Sequence, residues 1–506
     1  MSSTTSSRTT RAARALRNGP AALTVATRHL ARGSDHVGAI PQPWLGRAAY
    51  RSAQTALRDG DLTLARDRAA DAGLAGRILG QYVDGELGAL RPTVPTSVRT
   101  VVSRPPVGTT RVLHLVSSAL PEIVAGYTLR TQGIAAAQRR AGHDAHVVTR
   151  VGFPVTRGNL FAEAEVTVDD VPHHRLLPVR LPFRADAALR ADVERAARLV
   201  VRLRPTVLHA HSNHANGQVG LALRDRFGIP LVYEVRGLLE ETWRSRSDDT
   251  HAASATDFYR LTRAAETAVM HGADAVVVLN DALRDEVVDR GVPAERVHVV
   301  PNCVDRSWLD LPLAASGERK GLTVGLVGTL NAYEGLDVLV EAVARRRTAG
   351  DDVRLLVVGD GPARDDLTRL AAERGLGDAA TFTGRVPHDE VRAAYAELDV
   401  FCLPRLDLPV TRLVPPLKPV EAMALGIPVV ASDLAPLRDL VGSDRGVLVR
   451  PGDAGALAEA LADLAAPDVR RQLGSTARAW VARTRTWEAA ADRYQQIYAS
   501  TRGETP

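Results

Sequence analysis

Lysine is nearly absent from this 506-residue chain: of 64 basic residues, only Lys320 and Lys418 are lysines, so each has some meaning. Lys418 stands in PPLKPVEAMALGIPVVASD, Pro415 to Asp433. Pro419 suits a first helical position, which puts Lys418 at the mouth of a helix. There its ammonium and the helix dipole act together on a diphosphate. Glu421 falls in the same first turn, where a carboxylate can accept both hydrogens of a diol such as ribose. The plainer alternatives are dipole compensation by Glu421 and a solvated charge at Lys418. The rarity of lysine speaks against the latter.

Other loops offer weaker chemistry. In SSALPEIVAGYTLRT, Gly126 lets the backbone approach a ligand, and the helix that follows aims its free N–H groups at the same place. An ordinary tight turn reads the same way. VLHAHSNHANG carries His209, His211 and His214. His-x-His sets two rings on one strand face, but nothing near it in sequence completes a metal set. No metal is expected; a hydrogen-bonding role for His211 and a packed strand-end histidine both remain open. YEVRG sets Glu234 and Arg236 on one face at a strand end. That pair is either a surface ion pair of little worth or a clamp on phosphate or sugar hydroxyls. LVGTLNAYEGLDVLVEA (Leu326 to Ala342) and VVGDGPARDDL (Val357 to Leu367) both run from strand through glycine to helix, so both can cradle an anion.

The elements that must position these groups follow from composition and pattern. Hydrophobic residues make up 45% and charged residues 24%, while aromatics are 4%. Cores must therefore be built from Ala, Val and Leu, the material of parallel sheets and their helices. At this length two or three domains are expected. Residues 1–20 are expected to be a disordered tail, and 21–108 a helical appendage and linker. Within the appendage, Ala48 to Gly73 reads as a helix pair turning at Asp59-Gly60-Asp61, and prolines from Arg91 to Thr110 mark the linker. Strands then alternate with helices in two series, over residues 109–315 and 320–485, which predicts two doubly wound Rossmann-like domains facing a cleft. Residues 486–506 form a last helix expected to cross back to the first domain. Cys303 and Cys402 belong to no metal-spacing motif and are expected to be buried thiols in a reducing compartment. The excess of arginine suggests a GC-rich bacterial source. A net charge of +5 suits phosphate-bearing substrates or an anionic membrane surface. No apolar stretch is long enough to span a membrane and no signal core opens the chain, so a cytoplasmic protein is expected, with peripheral contact at the inner face of the plasma membrane left open.

KPVEAMALGIPVVASD, together with VVGDGP, VHVVPNCVD and VGLVGTL, resembles the retaining family-4 glycosyltransferases of the GT-B fold. The resemblance covers Arg111 to Tyr498, and GYTLRTQGIAAAQRRAGH and YEVRGLLEETW resemble bacterial members linked to exopolysaccharide assembly. It implies transfer of a hexose from a nucleotide-diphosphate sugar to a glycan, lipid-linked or small-molecule acceptor, with retention, no cofactor and no nucleic acid. It places Gly126 and Tyr127 by the donor phosphates or sugar, and Gly328 and Thr329 in the diphosphate loop. Gly384 and Val386 border the base. Lys418 contacts the diphosphate and Glu421 the ribose. His211, Glu234 and Arg236 line the acceptor side. The chain also departs from the family. The glutamate that relatives carry eight residues before Glu421 is Leu413 here, and Thr329 and Glu334 stand where relatives carry Arg and Lys. Relatives carry histidine where Arg236 ends its strand. Arg236, Arg405 and Lys418 are accordingly expected to share the leaving diphosphate. A nucleotide-sugar epimerase of the same fold and a non-catalytic nucleotide-sugar-binding scaffold are the competing readings.

Overall fold

A computed structural model of the chain describes residues 14–15, 17–28, 48–91, 110–247, 249–311 and 321–504. Residues 17–20, expected in a disordered tail, are helical. The linker prolines and the junction near residue 315 lie outside the described residues. Two units emerge. The first takes the described residues through Val278, plus Val287–His298 and Gln495 onward; the second takes Leu279–Glu286 and Val299–Tyr494.

The appendage belongs to the first unit and is built from alanine. Helices α1 (Ala48–Arg58), α2 (Leu62–Ala70) and α3 (Gly73–Ala89) bury Ala53, Ala56, Ala65, Ala69 and Leu79 against one another. Small side chains at helical spacing permit close helix contact. The expected turn at residues 59–61 is present, with Gly60 at φ +87°.

Eight strands make the first sheet: β1 (Arg111–Val116), β2 (Asp144–Thr149), β3 (Glu165–Val168), β4 (Val171–Arg175), β5 (Val207–His211), β6 (Leu231–Val235), β7 (Ala275–Val278) and β8 (Val297–Val299). Their order is β3-β4-β2-β1-β5-β6-β7-β8. The pairs flanking β1, β5 and β6 are parallel, whereas β3 and β4 form an antiparallel hairpin. That hairpin has no counterpart in the strand series read from sequence. Its turn is made by Asp169 and Asp170 at φ +44° and +62°, a two-residue geometry that aspartate tolerates. β1, β5 and β6 are buried almost throughout, as a sheet covered on both faces requires. Helices of this unit include α4 (Gly126–Arg140), α5 (Ala185–Leu203) and α6 (Asp257–Gly272).

The appendage docks on the last two. A Cβ at Gly85 of α3 would fall 2.7 Å from the Ala185 backbone nitrogen. The Phe258 amide donates to the Gly60 carbonyl at 2.9 Å, and the Thr63 amide to Asp257 Oδ2 at 2.8 Å.

The second sheet has strands β9 (Leu322–Val327), β10 (Val353–Val358), β11 (Ala380–Gly384), β12 (Val400–Leu403), β13 (Val429–Ser432) and β14 (Gly446–Val449), in the order β11-β10-β9-β12-β13-β14. Helices of this unit include α7 (Val391–Ala396) and α8 (Lys418–Ala424), and α9 (Trp487–Thr501) begins in it and ends in the first unit. Each sheet reverses its winding once, at β1/β5 and at β9/β12. Such a reversal leaves a crevice beyond the carboxyl ends of the strands.

If α3 is seated by backbone approach, Gly85→Leu lifts it from α5. The expected result is a loss of about 1–3 kcal/mol and new protease sensitivity within residues 48–91, read by thermal unfolding and limited proteolysis. Unchanged melting and cleavage would contradict the docking.

Candidate functional site

In the second unit the crevice is shaped by two glycines. Gly328 follows β9 at φ +148°, and a Cβ there would lie 2.4 Å from Lys418 Cε. Gly359 follows β10 at φ +133°, and its Cβ would fall 1.9 Å from the Gly328 carbonyl oxygen. Only glycine permits this approach, which brings the first loop against the lysine stem and the second against the backbone of the first.

Lys418 is the first residue of α8, as expected. Its Nζ donates to Glu334 Oε1 at 3.0 Å and lies 3.4 Å from the Thr329 carbonyl oxygen. Arg405, just beyond β12, donates Nε to Glu334 Oε2 at 3.1 Å and Nη2 to Oε1 at 3.3 Å. Its Nη1 donates to the Val414 carbonyl at 2.8 Å. Glu334 ends a short 3-10 turn, Ala332–Glu334, and is 2% exposed. Burial works against its ionisation, but Arg405 and then Lys418 outweigh that cost and hold the carboxyl at about 2. Glu334, in the loop where the resemblance implies a lysine, is thus a buried counter-ion to two cations.

Glu421 lies one turn along α8. It accepts from the Tyr395 hydroxyl of α7 at 2.7 Å. Burial pushes its carboxyl up to about 7, partly offset by Tyr395 and Lys418. Where the upstream glutamate is missing, the Leu413 carbonyl accepts from Asn280 Nδ2 at 3.1 Å. Gly384 ends β11 at φ +74° and accepts from the Gly359 amide at 2.9 Å, while Val386 packs half-buried on the core. Gly328, Thr329, Arg405, Lys418 and Glu421 are therefore drawn together in one crevice, with Gly384 bonded to its rim.

In the first unit, parallel register does the assembling. His114 sits opposite His209 across β1/β5, and His211 opposite Glu234 across β5/β6. Glu234 is fully buried and accepts at Oε1 from Arg130 Nε of α4 at 3.0 Å and from Arg236 Nε at 2.5 Å. Burial opposes the charge, yet Arg130 and Arg236 hold the carboxyl well below its usual range. Arg236 also donates Nη1 to the Tyr127 carbonyl at 2.6 Å and to Thr131 Oγ1 at 2.8 Å, clamping the first two turns of α4. Glu234–Arg236 is thus a buried pair, which corrects the surface alternative. The expectation that Arg236 and Arg405 face a diphosphate meets a different geometry. Both guanidiniums are at least nine-tenths buried and turn toward protein acceptors, whereas the Lys418 side chain is 18% exposed.

The histidines also regroup. His214 stands apart, 3.8 Å from Glu266. His114 joins His209 and His211 instead, with ring nitrogens within 4.8 Å of one another. Glu234 lies 3.2 Å from His211 Nδ1, a carboxylate that sequence distance had concealed. Metal-donor spacing alone does not suit this cluster to a cation. His114 Nδ1 and His211 Nε2 are 2.9 Å apart and share one proton, and two guanidiniums already neutralise Glu234. Gly126 and Tyr127 begin α4, with the Tyr127 side chain 47% exposed.

Sequence reasoning missed Glu334 as a site residue, and with it Tyr395, Arg130, His114, Gln138 and Tyr498. One signal was available: His114 interrupts an otherwise apolar buried strand, and a buried polar group needs a partner.

Comparison with known proteins bears on the family and the fold. Residues 125–303 match the glycosyl transferase 4-like domain, and residues 321–466 the family described as glycosyl transferases group 1. The 2-deoxystreptamine glucosyltransferase of Streptomyces kanamyceticus is 32% identical over 56% of this chain; the chain spans 66% of that relative, just under two thirds. The D-inositol 3-phosphate glycosyltransferase of Corynebacterium aurimucosum is 30% identical over 58% of this chain and 71% of the relative. Among solved structures, Anabaena HepE in complex with UDP and glucose superposes with a TM-score of 0.57 at 18% identity, covering 77% of this chain and 99% of that one. Taken with the two doubly wound sheets, these matches show that the chain belongs to the group 1 glycosyltransferases and is a transferase of the GT-B fold.

Proposed function

We propose that this transferase moves a hexose from a nucleoside-diphosphate sugar to a glycan, lipid-linked or small-molecule acceptor, with retention of anomeric configuration. One observation carries the reading: a partly exposed ammonium, Lys418, fixed by a buried carboxylate beside two glycine loops, one helical turn from Glu421. Gly328 lets the lysine stem lie against the loop after β9, which sets the ammonium beside that loop's backbone. Glu421 suits the ribose diol, and Gly384 and Val386 border the base. As the anomeric bond breaks, negative charge collects on the diphosphate, and a cation already held in place stabilises it without reorganising. Glu334 and Arg405 hold that cation; they orient Lys418 rather than touch the donor.

The acceptor is assigned to the first unit, near His211, Glu234 and the Arg236 clamp, with Gly126 and Tyr127 left to the donor phosphates or sugar. Relatives named for 2-deoxystreptamine and inositol 3-phosphate favour a polyhydroxylated acceptor. HepE, solved with UDP and glucose, supports a nucleotide donor. The reaction needs no cofactor: the leaving phosphate can itself take the acceptor proton. A bacterial cell-wall or exopolysaccharide role at the cytoplasmic face of the membrane belongs to the same proposal. Among the described residues no helix is long and apolar enough to cross a membrane.

Two outcomes check the reading. With UDP-glucose and a panel of polyol and lipid-linked acceptors, Lys418→Ala should lower kcat by about 10²–10³-fold, and the product should keep the donor's α configuration by proton NMR. Inverted product, or full turnover in the variant, would overturn it. The second outcome concerns pH. Glu421 must be ionised to accept from both ribose hydroxyls, so UDP affinity should fall about tenfold from pH 8 to pH 6. In Glu421→Gln that loss should shrink to the phosphate's own titration, as followed by calorimetry. The free protein should show the opposite trend. Its fold favours the protonated acid, so this contribution to stability is full below the usual 4.5 and lost as pH rises through about 7.

A further inference from the structure

The buried polar groups of the first unit form a loop of hydrogen bonds whose direction is fixed at both ends. A guanidinium can only donate and an ionised carboxylate can only accept. Arg236 Nη2 lies 2.6 Å from His211 Nδ1, so that nitrogen is the acceptor and the His211 proton is on Nε2. A proton on Nδ1 would face Glu234 at 3.2 Å but oppose the arginine hydrogen. His211 Nε2 then donates to His114 Nδ1 at 2.9 Å, which puts the His114 proton on Nε2, donating to Gln138 Oε1 at 2.8 Å. Gln138 Nε2 donates to the Tyr498 hydroxyl at 2.9 Å, and Tyr498 donates to His209 Nδ1 at 2.8 Å. The His209 proton is therefore on Nε2, 3.5 Å from Glu234 Oε2. Glu234 and Arg236 close the loop on each other at 2.5 Å. Burial first of all disfavours a charged imidazole at each of the three histidines.

From this geometry we infer that His114, Gln138 and Tyr498 are positioning residues for Arg236. They hold His211 in the one neutral tautomer that can accept from its guanidinium, and so keep Arg236 clamped on the start of α4 at Tyr127 and Thr131. The inference rests on the proposed function only for its purpose, since that stretch carries the assigned substrate contacts. The loop also gives the end of the chain a task in this unit, because Tyr498 of α9 supplies the link between Gln138 and His209.

The link is directional, so one hydroxyl controls it. In Tyr498→Phe the Gln138 amide loses its acceptor and can turn over. Its NH2 then faces His114 Nε2, His114 must carry its proton on Nδ1, and His211 is driven to the Nδ1–H form, which repels Arg236.

The test uses full-length protein labelled with 15N-histidine and needs no substrate. Magic-angle-spinning NMR, assigned by single His→Asn variants, should show His114, His209 and His211 all neutral with the proton on Nε2. His114→Asn keeps an acceptor at the Nδ1 position and should leave the His211 pattern intact. His114→Leu and Tyr498→Phe should convert part or all of it to Nδ1–H. In those two variants, amide hydrogen exchange over residues 126–131 should rise about tenfold or more, with near-native exchange in His114→Asn. A doubly protonated ring or an Nδ1–H His211 in the wild-type protein would overturn the inference. So would equal exchange in His114→Leu and His114→Asn, which would leave a packing role alone. Failure of sugar transfer with this tautomer pattern intact would count against the proposed function and not against the loop.

Discussion

A carboxylate buried between two cations organises the crevice of each unit. In the first, Glu234 lies between Arg130 and Arg236; in the second, Glu334 lies between Arg405 and Lys418. Taking such charges out of water costs several kcal/mol per ion, and removing one partner leaves the others exposed to that cost, typically about 3–5 kcal/mol. Each cluster must therefore be complete or absent. In the function proposed above, completeness also pins Lys418, whose charge could then meet the charge developing on a diphosphate without rearranging.

The sheets explain why the clusters stand where they do. Parallel strands bring residues at the same height into line, so His114 meets His209 and His211 meets Glu234. Winding reversal then opens a crevice at β1/β5 and again at β9/β12. Glu334 comes from the loop after β9 and Arg405 from the loop after β12. The two residues meet because the strand order places those loops side by side. Gly328 and Gly359 are required for a related reason: any side chain at either position would fill the space that the lysine stem or the neighbouring backbone occupies.

Much of this was legible in the sequence. Apolar runs alternating with helical text identified both doubly wound domains, and Gly-rich strand ends marked the loops of the second crevice. Lys418 drew notice through the scarcity of lysine, and it does begin its helix. The partners were harder to see. Glu334 reads as a lost phosphate cation until Arg405, 71 residues away, is found bonded to it. His114 and Tyr498 are separated from the other histidines by long stretches of chain, so only strand register and the return of α9 bring them together. The β3–β4 hairpin escaped notice because its four- and five-residue strands leave little room for a period. For the two clusters the missing information is long-range pairing, which residue type and local spacing do not encode.

In the function proposed above, the second crevice takes a nucleotide through its diphosphate. Calorimetric binding of uridine, UMP and UDP to the wild-type protein and to Lys418→Ala tests it most directly. Adding the β-phosphate should tighten wild-type binding about 10–100-fold, as a charge-assisted contact does, and tighten binding to the variant little. Equal affinity of the wild-type protein for uridine and UDP would contradict it.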